Sequence, residues 1–266
     1  MAQQESEEFQ LRELREYKVI KANDLIQHSR FNLTTTEQKI ILYLISKIRP
    51  NDNELKLYEF KIWDFCKICG ITQKSGKNYF NLKTAIKNLG DKSIWIKIED
   101  GRVETMLRWI ERPYIDAKSG TIRIKLDELM KPFLLQIQEH FTQFSVYYTL
   151  PMTSRYSLRM YELFKSYEGL GSWTFEIDDL KKSMFAENYK LFGDFKRKVI
   201  DTALREINEY GDIFVTYSVI KTGRKVSQIT FYIRSKTDFD ERIATWEKIE
   251  GRLNKDKGDP TCQEDA

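Results

Sequence analysis

The chain has 266 residues, of which 41% are apolar and 32% charged, and its 44 Lys and Arg against 40 Asp and Glu give a net charge of only +4. That length is enough for one or two domains with apolar cores, while the longest purely apolar run, residues 40–45, is far shorter than the roughly 20 residues of a membrane helix. An acidic start unlike a signal peptide, and three cysteines that are too few for a disulfide framework, predict a soluble cytoplasmic protein without membrane association.

The first copy of an internal repeat follows an acidic N-terminal tail, residues 1–16. Thr34 to Glu37 has the composition of a helix N-terminus and is followed by apolar residues at helical spacing. We predict a helix from residue 34, an extended piece at 59–62, a second helix at 63–69, a third helix around 82–89 and a hairpin at 94–102. The Asp100-Gly101 pair is a strong hairpin-turn signal.

A helical link between the two copies is predicted at residues 126–145, where apolar residues recur at helical spacing from Leu126 to Phe144. The second copy then repeats the pattern: Thr153-Ser154 opens a helix, an extended piece covers 174–177 and a second helix covers 178–185. Three apolar positions of the third helix recur at a constant offset of 118 residues, namely Leu82, Ala85 and Leu89 at Ile200, Ala203 and Ile207. A hairpin from residue 213, with a weaker turn at Thr222-Gly223, closes the second copy.

Each copy therefore has the order helix, strand, helix, helix, hairpin, which is that of a winged helix, a helix-turn-helix with a β-ribbon behind it. We predict an α+β protein of two tandem winged-helix domains, mostly helical with small antiparallel wings. The predicted boundaries are 17–125 for the N-terminal domain, 126–145 for the link, 146–236 for the C-terminal domain and 237–266 for a C-terminal helix and tail. The helix in that tail is suggested by Phe239, Ile243 and Trp246.

Two basic blocks coincide with the third helix and hairpin of each copy. Residues 61–98 carry eight Lys against two acids, and residues 181–236 carry twelve Lys and Arg against six acids, so each block has a net charge of +6. A Lys-rich solvated surface could explain a single basic block. Because a second block recurs at the equivalent elements of the other copy, the pattern favours a nucleic-acid partner.

The third helix of the second copy has the face of a sequence reader. Arg197, Lys198 and Arg205 lie opposite its apolar side, and Arg can bind guanine O6 and N7 with two donors. At 100° per residue, Arg197 and Arg205 lie about 80° apart. Asp201 on the same side accepts from a cytosine N4, braces one of these arginines, or forms a solvated i,i+4 pair with Arg205.

The corresponding surface of the first copy offers mainly lysines, which suit phosphate positioning better than base reading. Its candidate contacts are Lys74, Lys77 and Asn78 in and after the turn, and Lys83 and Lys87 on the helix.

Motifs for catalysis, nucleotides or metals are incomplete. Gly70 and Gly76-Lys77-Asn78 have the wrong spacing for a phosphate loop, with Asn in place of the metal-binding hydroxyl. Cys66 and Cys69 have no second Cys or His pair, since His28 and His140 stand alone, so they are interpreted as packing residues. We expect no cofactor, no bound metal and no enzymatic activity.

Three segments together resemble the iteron-type plasmid replication initiator proteins. They are KANDLI at 21–26 with LTTTEQKII at 33–41, PMTSRYSLRMYEL at 151–163, and FKRKVIDTALREIN at 195–208 with the hairpin after it. The resemblance implies two winged helices that bind direct repeats of double-stranded DNA at a plasmid origin. It implies a monomer that opens the origin and recruits host replication proteins, in equilibrium with a homodimer that represses its own promoter.

By this similarity the DNA contacts of the second domain are Arg197, Lys198 and Arg205 on the helix, and Lys221, Arg224 and Lys225 on the wing. The first-domain lysines match the family in pattern more than in identity. Alternatives are a winged-helix transcriptional repressor without an initiation role, a protein-interaction module, which the exposed arginines count against, and a nicking enzyme.

Overall fold

A computed structural model of the chain describes residues 18–49, 51–68, 76–99, 101–116 and 118–255, with backbone alone at 67, 76–79 and 255. The acidic tail, the end of the C-terminal tail, Lys74, Cys69 and Asp100 lie outside the described residues.

Among the residues that the structure describes, the first half, before the predicted link, forms four helices and seven strands. Its helices are α1 (Asn23–Gln27), α2 (Thr35–Ser46), α3 (Ile62–Ile68) and α4 (Gly76–Gly90). Its strands are β1 (Lys18–Ala22), β2 (Ser29–Arg30), β3 (Tyr58–Lys61), β4 (Ser93–Ile98), β5 (Val103–Arg108), β6 (Tyr114–Asp116) and β7 (Thr121–Ile124). The order α2, β3, α3, α4, β4–β5 confirms the predicted winged-helix sequence of elements.

Helix α2 begins where capping chemistry predicts. The Thr34 hydroxyl accepts from the Glu37 backbone N–H at 3.3 Å, and the Glu37 carboxylate accepts from the Thr34 N–H at 2.7 Å. This capping box satisfies two donors at the start of the helix, whose apolar residues are then buried. Glu37 is itself buried and also pairs with Lys92 at 2.6 Å, which ties the helix start to the residues after α4.

The sheets of the first half differ from a simple repeat of the second. The hairpin β4–β5 pairs with β2, in the order β2-β4-β5, and not with β3. Strand β3 pairs instead with β7 in the order β3-β7-β6, using a second hairpin that the sequence patterns did not predict. The two copies therefore share their order of elements but not their strand pairing.

The predicted helical link at 126–145 is wrong. This segment holds a 3-10 turn (Glu128–Met130), a one-turn helix α5 (Lys131–Leu134) and strand β8 (Phe141–Ser145), which pairs antiparallel with β1. Gln136 and His140 adopt φ of +52°, which ends any helix, and Leu129 is exposed. Of the apolar residues at helical spacing, Leu126, Met130, Leu134 and Phe144 are buried, whereas Leu129 and Phe141 are exposed.

The second half follows the predicted order more closely. Its helices are α6 (Arg155–Tyr167), α7 (Ile177–Ser183), α8 (Phe192–Phe195), a π-helical segment (Lys196–Ile200), α9 (Asp201–Tyr210) and α10 (Phe239–Lys255). Its strands β9 (Ser172–Glu176), β10 (Ile213–Thr222) and β11 (Lys225–Ser235) form one antiparallel sheet in the order β10-β11-β9. Because β9 joins the hairpin directly, this half is a winged helix with a three-stranded wing sheet.

The C-terminal helix is present as predicted, and it packs back on the second domain. Ile249 and Leu253 are buried, and Trp246 donates to the Tyr148 hydroxyl at 3.3 Å. Phe239 is 71% exposed, so it marks the start of α10 without anchoring it. Buried apolar side chains of both halves form one continuous core.

Candidate nucleic-acid interface

The helix predicted to read sequence consists of three consecutive segments, α8, the π-helical segment and α9, which together we call the reader helix. Within it the Asp201 N–H donates to the Lys196 carbonyl five residues earlier, and the Thr202 hydroxyl donates to the Arg197 carbonyl at 3.2 Å. Such a widened turn is rare and is frequently found at functional sites. A turn closed between residues five apart rotates the chain less per residue than an α-helix, so the 80° separation of Arg197 and Arg205 expected of a regular helix does not apply across it.

The burial pattern of the reader helix agrees with its predicted faces. Its apolar side is buried, comprising Phe195, Val199, Ile200, Ala203, Leu204 and Ile207. Arg197, Lys198 and Arg205 are all exposed. The arrangement presents three cations to solvent on a helix that is anchored firmly from behind.

The three exposed cations differ in their local partners. Arg197 pairs with Asp194 at 2.8 Å, and its side chain is 72% exposed. The Lys198 ammonium lies 5.5 Å from the centre of the Tyr189 ring. Arg205 makes no ion pair with any residue that the structure describes, so its guanidinium is available to an external anion or base.

Within this chain, Asp201 pairs with residues other than the two arginines considered as its partners in the sequence analysis. It does not brace Arg197 or Arg205: its carboxylate accepts from Lys196 at 2.8 Å and from the Tyr217 hydroxyl at 3.2 Å. Its hydrogen bond to Lys196, followed by that of Tyr217, raises the pKa of the Lys196 ammonium. Since Tyr217 belongs to β10, Asp201 connects the widened turn of the reader helix to the wing.

The wing carries its predicted cations at its tip. Lys221, Arg224 and Lys225 are exposed and flank Gly223, whose φ of +64° forms the turn. The pairing of β10 with β11 shifts register between Ile220 and Lys221, just before that turn. Lys225 lies 3.9 Å from Asp178, and both side chains are largely exposed, so this contact restrains the lysine weakly.

Two polar residues that sequence reasoning missed hold the reader helix in place. The Asn208 amide accepts from the Val215 N–H at 2.7 Å and donates to the Val215 carbonyl at 2.9 Å. The buried Glu206 carboxylate accepts from the N–H groups of Thr153 and Ser154 before α6. The sequence signals only a helix start at Thr153-Ser154, because the partner that completes it is more than fifty residues away.

In the first domain, α4 shows the predicted buried face of Leu82, Ala85, Ile86 and Leu89. Lys87 is exposed and Lys83 half-buried on its outer side. The side chains of Lys77 and Asn78, and all of Lys74, lie outside the described residues, so their part in the interface stays a prediction.

Among the described residues, no group of three or more His, Cys, Asp or Glu side chains is arranged to hold a metal ion. Cys66 is buried, and burial raises the pKa of its thiol to about 11, as expected of a packing residue. Within the same ranges, no helix has the length and apolar character needed to span a bilayer.

Comparison with known proteins matches both halves of the chain. A family model described as "Initiator Replication protein, WH1" matches residues 18–165, and one described as "Initiator Rep protein, WH2" matches residues 176–233. The crystal structure of Pi initiator protein in complex with iteron DNA is similar with a TM-score of 0.68 and 22% identity, covering 84% of this chain and 99% of that chain. Domains 2 and 3 of RctB give a TM-score of 0.46 at 14% identity, covering 84% and 93%. The tandem winged-helix fold is thus confirmed.

Proposed function

Because this chain belongs to the initiator replication protein family, we propose that it is a plasmid replication initiator that binds direct repeats of duplex DNA at an origin. The observation that carries this proposal is the cationic surface of the second domain, where the exposed face of the reader helix and the wing tip each present three Lys or Arg residues. The fold is shared with an initiator whose structure contains iteron DNA.

The two parts of this surface have different tasks. Arg197 and Arg205 lie on an anchored helix and carry forked guanidinium groups, which suit bidentate contacts with guanine in the major groove. Lys198 is placed to assist them. Lys221, Arg224 and Lys225 lie on a hairpin tip and bind phosphates, which adds affinity without reading sequence.

In the first domain, Lys74, Lys77, Asn78, Lys83 and Lys87 supply phosphate contacts beside those of the second domain. Neutralisation of roughly six to ten phosphates makes log affinity fall against log salt with a slope of about −5 to −9. Binding proceeds without metal, nucleotide or catalysis.

A homodimer in equilibrium with the monomer represses the initiator's own promoter, and the monomer binds a single repeat and recruits host replication proteins. The geometry that supports self-association is the edge of the sheet β2-β4-β5. Strand β5 has no partner on its outer side among the described residues, and Trp95 and Met106, which face each other across β4 and β5, are 48% and 47% exposed. An edge strand beside exposed apolar side chains is suited to pairing with a second copy.

The test combines binding with replication. Direct repeats of about two helical turns are sought beside the gene, and binding of the purified chain to one repeat and to scrambled DNA is measured by fluorescence anisotropy at two or more salt concentrations. A small plasmid that carries only those repeats, the gene and a selectable marker is then tested for maintenance. Specific binding with maintenance supports the proposal. A flat salt dependence or a requirement for ATP contradicts it, and specific binding without maintenance favours a repressor.

A further inference from the structure

The two domains meet through a buried arginine that contributes to neither proposed DNA surface. Arg159 of α6 donates through Nη2 to the carbonyl oxygens of Ile26 at 2.7 Å and Ser29 at 2.9 Å. Its guanidinium also lies 4.6 Å from the centre of the Phe31 ring. Helix α6 packs on the reader helix, so a side chain of the second winged-helix unit is held by backbone carbonyls of the first.

A second buried contact lies one turn further along α6. Glu162 accepts from the Lys21 ammonium of β1 at 2.7 Å and lies 3.9 Å from Arg159 Nη1. Arg159, Glu162 and Lys21, which we call the interdomain charge cluster, are each only 3–4% exposed. The cluster has two cations for one anion, and burial lowers the pKa of Lys21 and that of Arg159, the latter to about 10.

This construction is suited to fixing an orientation. Apolar surfaces can slide or rotate with little change in contact area, whereas a buried charge must keep its partners because water cannot replace them. Arg159 Nε and Nη1 are buried without a hydrogen bond to any residue that the structure describes, so the hydrogen bonds of the guanidinium to the first domain come from Nη2. A small rotation between the domains would lose those bonds.

The cluster also lies on the route that connects the two DNA-facing helices. Helix α4 packs on α2, and both α2 and the reader helix pack on α6, the helix that carries Arg159 and Glu162. The orientation of α1, β1 and β2 on α6 therefore determines where α4 stands relative to the reader helix.

We propose that Arg159, with Glu162 and Lys21, is a positioning residue that fixes the distance and angle between the DNA-contacting surfaces of the two domains, so that a repeat is bound tightly only when its two contact sites are correctly spaced. This inference rests on the proposed function, because it requires both domains to contact one repeat.

The experiment uses the full chain and a set of repeats in which one base pair is inserted at successive positions. Each insertion moves one contact site by about 3.4 Å and turns it by about 34° relative to the other. The wild type is expected to bind the intact repeat at least about 100-fold more tightly than the insertion that falls between the two sites, because the second domain contact is then lost.

In Arg159→Met, which keeps an unbranched apolar stem but removes the guanidinium group, the ratio of the two affinities is expected to fall below about 10, because the domains can now follow the altered spacing. Arg159→Lys retains the charge without the fork and decides the question if the Met variant does not fold, as judged by thermal unfolding. Arg242→Met, at an exposed position of α10, is the matched control and keeps the wild-type ratio.

The inference is overturned if the folded Arg159 variants lose affinity equally for the intact repeat and for the repeats with an insertion. Such a result would mean that the substitution weakens binding without changing the tolerated spacing. A wild type that tolerates the insertion also overturns it. If the wild type binds no repeat specifically, the proposed function itself is refuted. This outcome differs from the two that overturn only the inference about Arg159.

Discussion

Replacing Arg205 by Ala tests most directly whether the reader helix recognises sequence. Arg205 is exposed and has no ion-pair partner among the described residues, so its removal should change the free energy of unfolding by no more than about 0.5 kcal/mol. A lost bidentate guanine contact costs about 1–3 kcal/mol, which corresponds to about 5- to 140-fold weaker binding of the repeat. Binding to scrambled DNA should weaken much less.

The structure predicts a smaller effect for Arg197→Ala. Arg197 must give up its 2.8 Å pair with Asp194 to reach DNA, and an exposed pair of this kind contributes about 0–1 kcal/mol. The net loss of binding free energy for Arg197→Ala should therefore be lower than that for Arg205→Ala by up to about 1 kcal/mol. Asp194→Asn, which releases Arg197, should strengthen binding to the repeat.

The assay is fluorescence anisotropy on the repeat and on scrambled DNA at two salt concentrations. Lys225→Ala should weaken binding to both DNAs alike and reduce the salt slope by about one unit, as expected of a phosphate contact. Lys248→Ala, at an exposed position of α10, has the same change in charge and should leave both affinities nearly unchanged. Equal losses on both DNAs for the two arginine variants would refute the assignment of the reader helix and transfer recognition to the first domain.

Three further predictions concern assembly and stability. The free chain should sediment as a dimer at micromolar concentration and bind one repeat as a monomer. Met106→Glu on the edge strand should convert the dimer to a monomer, whereas Met106→Leu should not. A wild type that is monomeric throughout this range contradicts the proposed dimer. Leu253→Ala in α10 should lower the free energy of unfolding by about 2–5 kcal/mol, because the side chain is buried. Phe239→Ala, at the exposed start of the same helix, should change it by about 0.5 kcal/mol or less. Equal effects of the two substitutions in denaturant titrations would mean that α10 does not pack as described. Burial raises the pKa of the Cys66 thiol from 9 to about 11, so between these pH values the folded state holds more protons than the unfolded state. The free energy of unfolding of the wild type should therefore fall by about 1–3 kcal/mol relative to that of Cys66→Ala as the pH rises from 9 to 11. A constant difference between the two proteins would show that the thiol is not buried.

Local sequence patterns are sufficient for the elements that carry their own signals. The capping box at Thr34 and Glu37, the buried face of the reader helix and the turn at Gly223 depend on residues close together in the chain. These features can be predicted from the sequence because helix periodicity, capping and turn geometry are properties of short segments. The exposed cations of the reader helix follow from helical periodicity, and those of the wing follow from their position beside the turn at Gly223.

Strand pairing and the link between the domains could not be obtained in this way. The segment after Leu126 has apolar residues at helical spacing, yet β8 forms because β1, more than a hundred residues earlier, offers a partner strand. Likewise, β3 could pair with the hairpin β4–β5 or with the hairpin β6–β7. Only the packing of the folded chain makes β7 its neighbour.

The sequence by itself determined the order of elements in each winged helix and the position of the cations, since both follow from interactions within a few residues. Tertiary structure alone decided the hydrogen bond from the Tyr217 hydroxyl of the wing to Asp201 and the burial of Arg159 against the first domain. Each of these depends on a polar group that finds its partner far away in the chain. The free energy of such a contact depends on burial and on hydrogen-bond geometry, which exist only after the chain has folded.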